Sequence, residues 1–275
     1  MAGNTSTTSI IEVDGKKVFT KLKRAEEFDL RTFSFQNMLY LTFDSELRIN
    51  KPLYIQNSIS GYISARYECI DEKPWDINNG TISLFGKYLA ELHNFCYQNK
   101  DKIKLKIKEF GTSIHIWDLV EDCAEKQEAF DIRLDIYKTL QPYNYNQISI
   151  PLHRDFKLQN ILSDGEKFFL IDFDFAAIDN IGIEIMSFIM DLFSKTLQKD
   201  LIDSFISEYK KHSNIPIDWS TMVNDYLVYM CCNTFPFYMR KEIGELNFKE
   251  LLEDRNSKLK LANILKEKLH ESLQR

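Results

Sequence analysis

The residues that organise this chain are His153-Arg154-Asp155-Phe156-Lys157-Leu158-Gln159-Asn160 and, shortly after, Ile171-Asp172-Phe173-Asp174. The first run fits the pattern H-R-D-x-x-x-x-N. Asp155 and Asn160 share one turn, so a carboxylate and an amide can face one space. A hairpin pattern separates the two runs: Ile161-Leu162, the turn Ser163-Asp164-Gly165-Glu166, then Phe168-Phe169-Leu170-Ile171. Polar turn residues between short apolar runs predict antiparallel pairing. Asp172 arrives on the far arm of that hairpin, which brings it close to Asn160 despite the intervening chain. An isolated H-x-D is most often an ordinary surface turn. Here the amide, the hairpin and the second acid follow in order.

Those groups match what phosphoryl transfer demands. That chemistry asks for one carboxylate to meet the attacking hydroxyl, and for an amide oxygen and a second carboxylate to hold a metal on the phosphates. Working outward, the N-terminal part alternates. Ile10-Ile11-Glu12-Val13 and Val18-Phe19-Thr20-Lys21-Leu22 flank Asp14-Gly15, a strong hairpin signal. Residues 25–43 have a helical tendency. Pro52-Leu53-Tyr54-Ile55 and Gly61 to Tyr67 read as two more strands, and Asp71-Glu72-Lys73-Pro74 as a polar connector. Beyond it, Leu84, Leu89 and Leu92 recur at helical spacing. From residue 183 the chain reads as helices, broken near Ser213–Pro216 and Pro236. The run from Ile181 to Phe193 reads as a buried helix, interrupted by Glu184 and Asp191.

These residues resemble the catalytic core of the aminoglycoside phosphotransferase and choline kinase-like superfamily, related to protein kinases. FGKYLAELHNF (85–95) is similar to its G-x-x-L-A-x-L-H helix, and Ile171 to Asp174 to its I-D-F/W-[DE] segment. The resemblance implies an α+β, two-lobed protein kinase-like fold: a small strand-rich lobe and hinge over 1–70 and a helical lobe over 71–275. It implies an ATP-dependent small-molecule kinase, with GTP left open as donor, that phosphorylates a hydroxyl of an aminoglycoside, amino-alcohol, sugar or nucleoside. Asp155 is then the catalytic aspartate, and Asn160 and Asp172, supported by Asp174, hold Mg²⁺. His153 is a scaffold residue. The backbone of the hinge, Tyr67-Glu68-Cys69-Ile70, would meet the adenine edge, with Glu68 and Ile70 as its contacts. Val18-Phe19-Thr20-Lys21 resembles the V-A-I-K strand, which makes Lys21 the phosphate lysine, with Lys23 on the same face as the alternative. Lys157 joins the nucleotide-binding set.

The chain departs from the pattern in two places. Where the helix glutamate that pairs with the strand lysine aligns best, it has Gln36, although Glu26 and Glu27 lie nearby. It has no G-x-G-x-x-G. The segment Gly3 to Ser9 is either a hydroxyl-rich phosphate loop or an unstructured end.

Composition narrows the remaining classes. The 275 residues are 44% hydrophobic with net charge -6 and interleaved signs, so neither nucleic acid nor a membrane surface is an expected partner. Five cysteines without a C-x-x-C predict neither a disulfide framework nor a zinc site. MAGNTSTTS lacks the features of a secretory signal, and no apolar run approaches the roughly 20 residues needed to span a bilayer, so a cytoplasmic location is expected. Two alternatives stay open. A protein kinase would need an extended segment after Asp172 ending near A-P-E, which the sequence lacks. A nucleotide-binding pseudokinase fits the missing glycines and the doubtful glutamate. For the acceptor, Asp218, Asp225, Glu242, Glu245 and Glu253 could line a cationic pocket or form a solvated face. Trp219, Tyr226, Tyr229, Phe235, Phe237 and Tyr238 could wall it or belong to the core.

Overall fold

The computed structural model describes residues 6–57, 61–104 and 148–219, together with Met222 and Tyr226. Strands β1 (Ser6–Val13) and β2 (Lys16–Arg24) form a hairpin. Its turn places Asp14 at φ 51° and Gly15 at φ 73°. Two consecutive left-handed residues suit the right-handed twist of a two-residue hairpin, and Asp-Gly reaches that conformation at low cost. Helix α1 (Leu30–Thr42) follows, capped by Asp29, whose carboxylate accepts from the Arg31 N–H. Then come β3 (Leu47–Ile49), β4 (Pro52–Asn57) and β5 (Tyr62–Glu68). The first sheet is antiparallel, in the order β1-β2-β5-β4.

The rest is dominated by helices α2 (Asn79–Gln98), α4 (Ile181–Thr196) and α5 (Lys199–His212), with a short α3 (Lys100–Lys104) after α2. Asn78 and Asn180 cap α2 and α4 through their side chains. The core gathers Phe85, Leu89, Phe156, Phe188, Ile189 and Phe205, with the Phe188 and Phe205 rings stacked 4.5 Å apart. Helices α2 and α5 meet at Gly86, where an added Cβ would lie 2.4 Å from the Phe205 carbonyl oxygen. Only glycine permits that backbone approach.

Between these parts lie two small sheets. One has the order β3-β8-β7, with β7 at Ile161–Ser163 and β8 at Phe168–Leu170, and the other pairs β6, Ser149–Leu152, with β9, Ala177–Asn180. Strands β7 and β8 are the expected hairpin. Strands β6 and β9 close around it. β3 runs parallel to β8, and the Asn50 N–H donates to the Leu170 carbonyl. The early strand-rich part is thereby joined to the later hairpin.

Some expectations need correction and others are met. Residues 6–9 are strand, registered against Lys23 to Thr20, and not a phosphate loop. β3 was not foreseen, because its three residues are held by a partner more than a hundred positions away. β9 was not foreseen either, because it fell between the hairpin and the expected helix. Tyr226 is buried, and Trp219 packs edge-on against Tyr209 at 5.6 Å, so both serve the core. Asp218 is exposed. The other acceptor candidates, Asp225, Tyr229, Phe235, Phe237, Tyr238, Glu242, Glu245 and Glu253, lie outside the described residues. Cys69 and Cys96 are free thiols. No described helix is long and apolar enough to cross a membrane.

Candidate active site

Asp155 lies in the loop between β6 and β7, and that loop is fixed from several sides. Asn160 Nδ2 donates to the Asp155 backbone oxygen at 2.8 Å and to its Oδ2 at 2.7 Å. The Lys157 ammonium stands 2.7 Å from the other carboxylate oxygen. His153 is fully buried, with Nε2 2.8 Å from the Ile171 carbonyl, and its Nδ1 accepts from the Asp155 N–H at 3.2 Å. Its ring lies 4.4 Å from that of Phe173, which in turn meets Phe35 of α1 edge-on at 6.0 Å. Buried His153 thus supports the loop from beneath.

Helix α4 fixes the same loop through two acids. Glu184, fully buried, accepts from the Arg154 N–H, and its other oxygen is 2.7 Å from His93 Nε2. His93 reaches on to the Tyr209 hydroxyl at 2.6 Å. Asp191 accepts from the Leu158 N–H at 3.0 Å. Arg154 has φ 62°, a conformation that non-glycine residues hold only when their surroundings over-determine it. Its guanidinium Nε lies 2.9 Å from Asp179 Oδ2. Burial pushes the Asp179 carboxyl up to about 6, against the downward pull of Arg154.

The hairpin delivers Asp172 to the same place. The Ile171 N–H donates to the Asn160 carbonyl at 3.0 Å, so Asp172 follows directly on a residue bonded to Asn160. Asp172 also sits in the left-handed region, with φ 62° and ψ 68°, which Asp tolerates better than most residues. From the opposite side comes β2. Lys21 Nζ donates to Asp172 Oδ1 at 2.8 Å and also contacts Asp174 Oδ2. Lys23 Nζ is 2.6 Å from the same Asp174 oxygen. Burial alone would lower the Lys21 ammonium, but Asp174 and Asp172 outweigh it and raise it. Burial likewise opposes the charge on Asp172, yet Lys21 holds that carboxyl below its usual range.

Gln36 is buried and gives its amide N–H to the Asn50 carbonyl at 2.8 Å, so it braces the turn into β4 while Lys21 pairs elsewhere. Glu26 lies in a 3-10 turn and is exposed, its oxygen 3.8 Å from Arg24. Glu27 ends that same turn. At the expected hinge, the Glu68 N–H donates to the Lys51 carbonyl, and the Ile70 carbonyl accepts from Glu72. Burial, then Asp174 and Asp172, push the neighbouring Tyr67 phenol well up. Glu184, Asp179 and Asp191 were not singled out as site residues. The available signal was two acids seven positions apart on an otherwise apolar helix, hence on nearly one face.

A donor set for a hard cation follows from this geometry. Among the described residues no cluster of three His, Cys, Asp or Glu could hold a metal. The candidate set is mixed: Asp172, Asp174 and the Asn160 amide oxygen, whose Nδ2 is turned to Asp155. All are oxygen donors, as hard divalent cations prefer, and an ammonium already occupies the space between the carboxylates. A groove of about 510 Å³ beside α1 and β4, lined by Leu30, Phe33, Met38, Leu41 and Ile55 among others, holds none of these groups.

The model of the phosphotransferase enzyme family (APH) matches residues 8–222, well over half of the chain. No curated protein matches the sequence. Among solved structures, spectinomycin phosphotransferase APH(9)-Ia in complex with ADP and spectinomycin is similar at 15% identity and a TM-score of 0.65, covering 94% of this chain and 90% of that one. Amicoumacin kinase hAmiN in complex with AMP-PNP, Ca²⁺ and Ami is similar at 12% identity and a TM-score of 0.62, covering 94% and 87%. Choline kinase LicA from Streptococcus pneumoniae is similar at 14% identity and a TM-score of 0.57, covering 94% and 92%. At such identities the likeness establishes a shared fold.

Proposed function

The chain belongs to the phosphotransferase enzyme family, and from that premise we propose that it moves the terminal phosphoryl group of a nucleoside triphosphate, ATP or GTP, to a hydroxyl of a small molecule. The observation that carries this reading is the convergence of Asp155, Asn160 and Asp172: Asn160 bonds directly to Asp155, the Ile171 N–H just before Asp172 bonds to the Asn160 carbonyl, and Lys21 faces them from β2. We assign residues 1–70 to a small nucleotide-binding lobe ending in a hinge, and residues 71–275 to a helical lobe that takes the acceptor. Glu68 and Ile70 would offer backbone groups to the base.

In this reading Asp155 orients the acceptor hydroxyl and takes its proton as the new oxygen–phosphorus bond forms. The bond from the transferred phosphorus to the leaving nucleoside diphosphate breaks in the same step. Asn160, Asp172 and Asp174 would hold Mg²⁺, which would offset the negative charge of the phosphates. Lys21 exchanges its carboxylate partners for phosphate oxygens. Lys157, already paired with Asp155, adds positive charge beside the transferred group. The related folds are named for spectinomycin, amicoumacin and choline. By analogy we favour an acceptor in the amino-alcohol and aminoglycoside range, which suits the net charge of -6.

A protein kinase is disfavoured by one spacing. Helix α4 begins at Ile181, so only 173–180 separate it from Asp172, too few to build a docking platform for a polypeptide. The test is transfer of labelled phosphate from ATP or GTP with Mg²⁺ to a panel of amino-alcohols, aminoglycosides, sugars, nucleosides and a polypeptide. We expect one small-molecule class to be labelled. Nucleotide-dependent thermal stabilisation with no turnover of any kind would instead identify a non-catalytic binding module.

A further inference from the structure

A lysine on a strand normally carries its ammonium out to water along a flexible stem. Lys23 does not. It is only 8% exposed, and its ammonium lies 2.6 Å from Asp174 Oδ2. It is two residues from Lys21 in β2, so both side chains leave the same face of the strand. Their neighbours across β5 are Ile63 and Ala65, which bring no charge. Lys21 reaches the same Asp174 oxygen as Lys23, and Asp172 as well. Two ammonium groups therefore converge on a single carboxylate oxygen, and the four charges together balance.

That balance has a consequence if the site works as proposed above, on which this inference rests. When Asp172 and Asp174 turn to a divalent cation, both lysines lose their counter-charge together. Phosphate oxygens can answer for Lys21. Lys23, buried in the same place, would then be an uncompensated ion, and a charge left unpaired in the interior is strongly destabilising. The anion that arrives with the cation is a polyphosphate, which has enough oxygens for two ammonium groups. We infer that Lys23 is a second phosphate-binding side chain, so that this chain presents a pair of lysines from one strand to the polyphosphate.

Calorimetry on the full chain tests this, using adenosine, ADP and ATP (and the guanosine series) with Mg²⁺, on the wild type, Lys23→Gln, Lys23→Arg and Lys21→Gln. Lys23→Gln should bind the nucleoside as the wild type does, and bind ADP and ATP roughly tenfold to a hundredfold more weakly, the usual range for losing a charge-assisted contact. Lys23→Arg, which keeps the charge, should recover most of that loss. Unchanged ATP affinity in Lys23→Gln would overturn the inference and leave Lys23 as the counter-ion of Asp174 alone. Equal weakening towards nucleoside and nucleotide would overturn it too, by showing a general loss of structure. If the wild type binds ATP no better than the nucleoside, or Lys21→Gln binds ATP normally, it is the underlying nucleotide-site reading that fails.

Discussion

Asp155 and Lys21 belong to one site but are held there by different means. The loop of Asp155 is tied down by uncharged and charged hydrogen bonds to its backbone: Glu184 at Arg154, Asp191 at Leu158, His153 at Asp155 and Ile171 at Asn160. None of these bonds need break for a substrate to enter. Lys21 and Lys23 are held instead by ion pairs with Asp172 and Asp174, the very groups proposed to change partners. One side of the site is built, and the other is poised in an exchangeable state. A preorganised aspartate suits proton transfer, in which small displacements cost rate. Long lysine side chains suit a ligand whose charges arrive from outside.

The largest effect should come where the two sides meet. Asp172→Ala removes one partner of Lys21 and the proposed metal carboxylate, while Asp174 still holds both lysines. We expect turnover to fall to background with the melting temperature nearly unchanged. Wild-type rates at saturating Mg²⁺ and nucleotide would show that the two sides do not cooperate through this residue.

Next comes the built side. Glu184→Ala leaves His93 and the Arg154 N–H without their buried partner. Leaving a buried donor without its acceptor typically costs about 1–3 kcal/mol, so the urea midpoint should drop by an amount equivalent to that loss. A change under about 1 kcal/mol would mean that the loop is not anchored through α4.

A smaller effect concerns pH. The Asp179 carboxyl is raised to about 6 in the fold, above an unfolded value near 3.9. In the window from about pH 4 to 6 the native state therefore binds the extra proton. The stabilisation from this group is full below about pH 4 and is lost as pH rises through about 6. Denaturation across that window should show a contribution approaching, at most, roughly 1.4 kcal/mol per pH unit. Asp179→Asn should remove it. An identical pH slope in the variant would contradict the assignment.

The same contrast explains what could be read from the sequence. The loop and hairpin are local, so H-R-D-x-x-x-x-N and the alternation up to Ile171-Asp172-Phe173-Asp174 announced the shared turn and the antiparallel pairing. The Lys21–Asp172 pair joins residues 151 positions apart, and nothing in β2 or in the turn around Asp172 specifies that meeting. Gln36 was legible as a departure from the kinase pattern, but its true bond, to the Asn50 carbonyl, depended on a turn before β4 that only the fold creates. Glu184 and Asp191 were visible as acids breaking an apolar run. Their purpose was not, because what they hold in the catalytic loop are backbone N–H groups, which leave no trace in a sequence. β3 was hidden for a similar reason: three residues gain strand structure only by lying beside β8.

The central claim is that Asp155 is the group that accepts the proton from the acceptor hydroxyl, and Asp155→Asn tests it most directly. The substitution keeps the size of the side chain, removes its charge and basicity, and leaves Asn160 and Asp172 in place for the metal. Calorimetry with Mg²⁺ and ATP, beside a single-turnover assay with the acceptor identified by the screen, separates binding from transfer. The account predicts nearly unchanged nucleotide affinity and transfer at least about a hundredfold slower, within the range for losing a general base. Transfer at the wild-type rate, or loss of nucleotide binding in a folded variant, would contradict it.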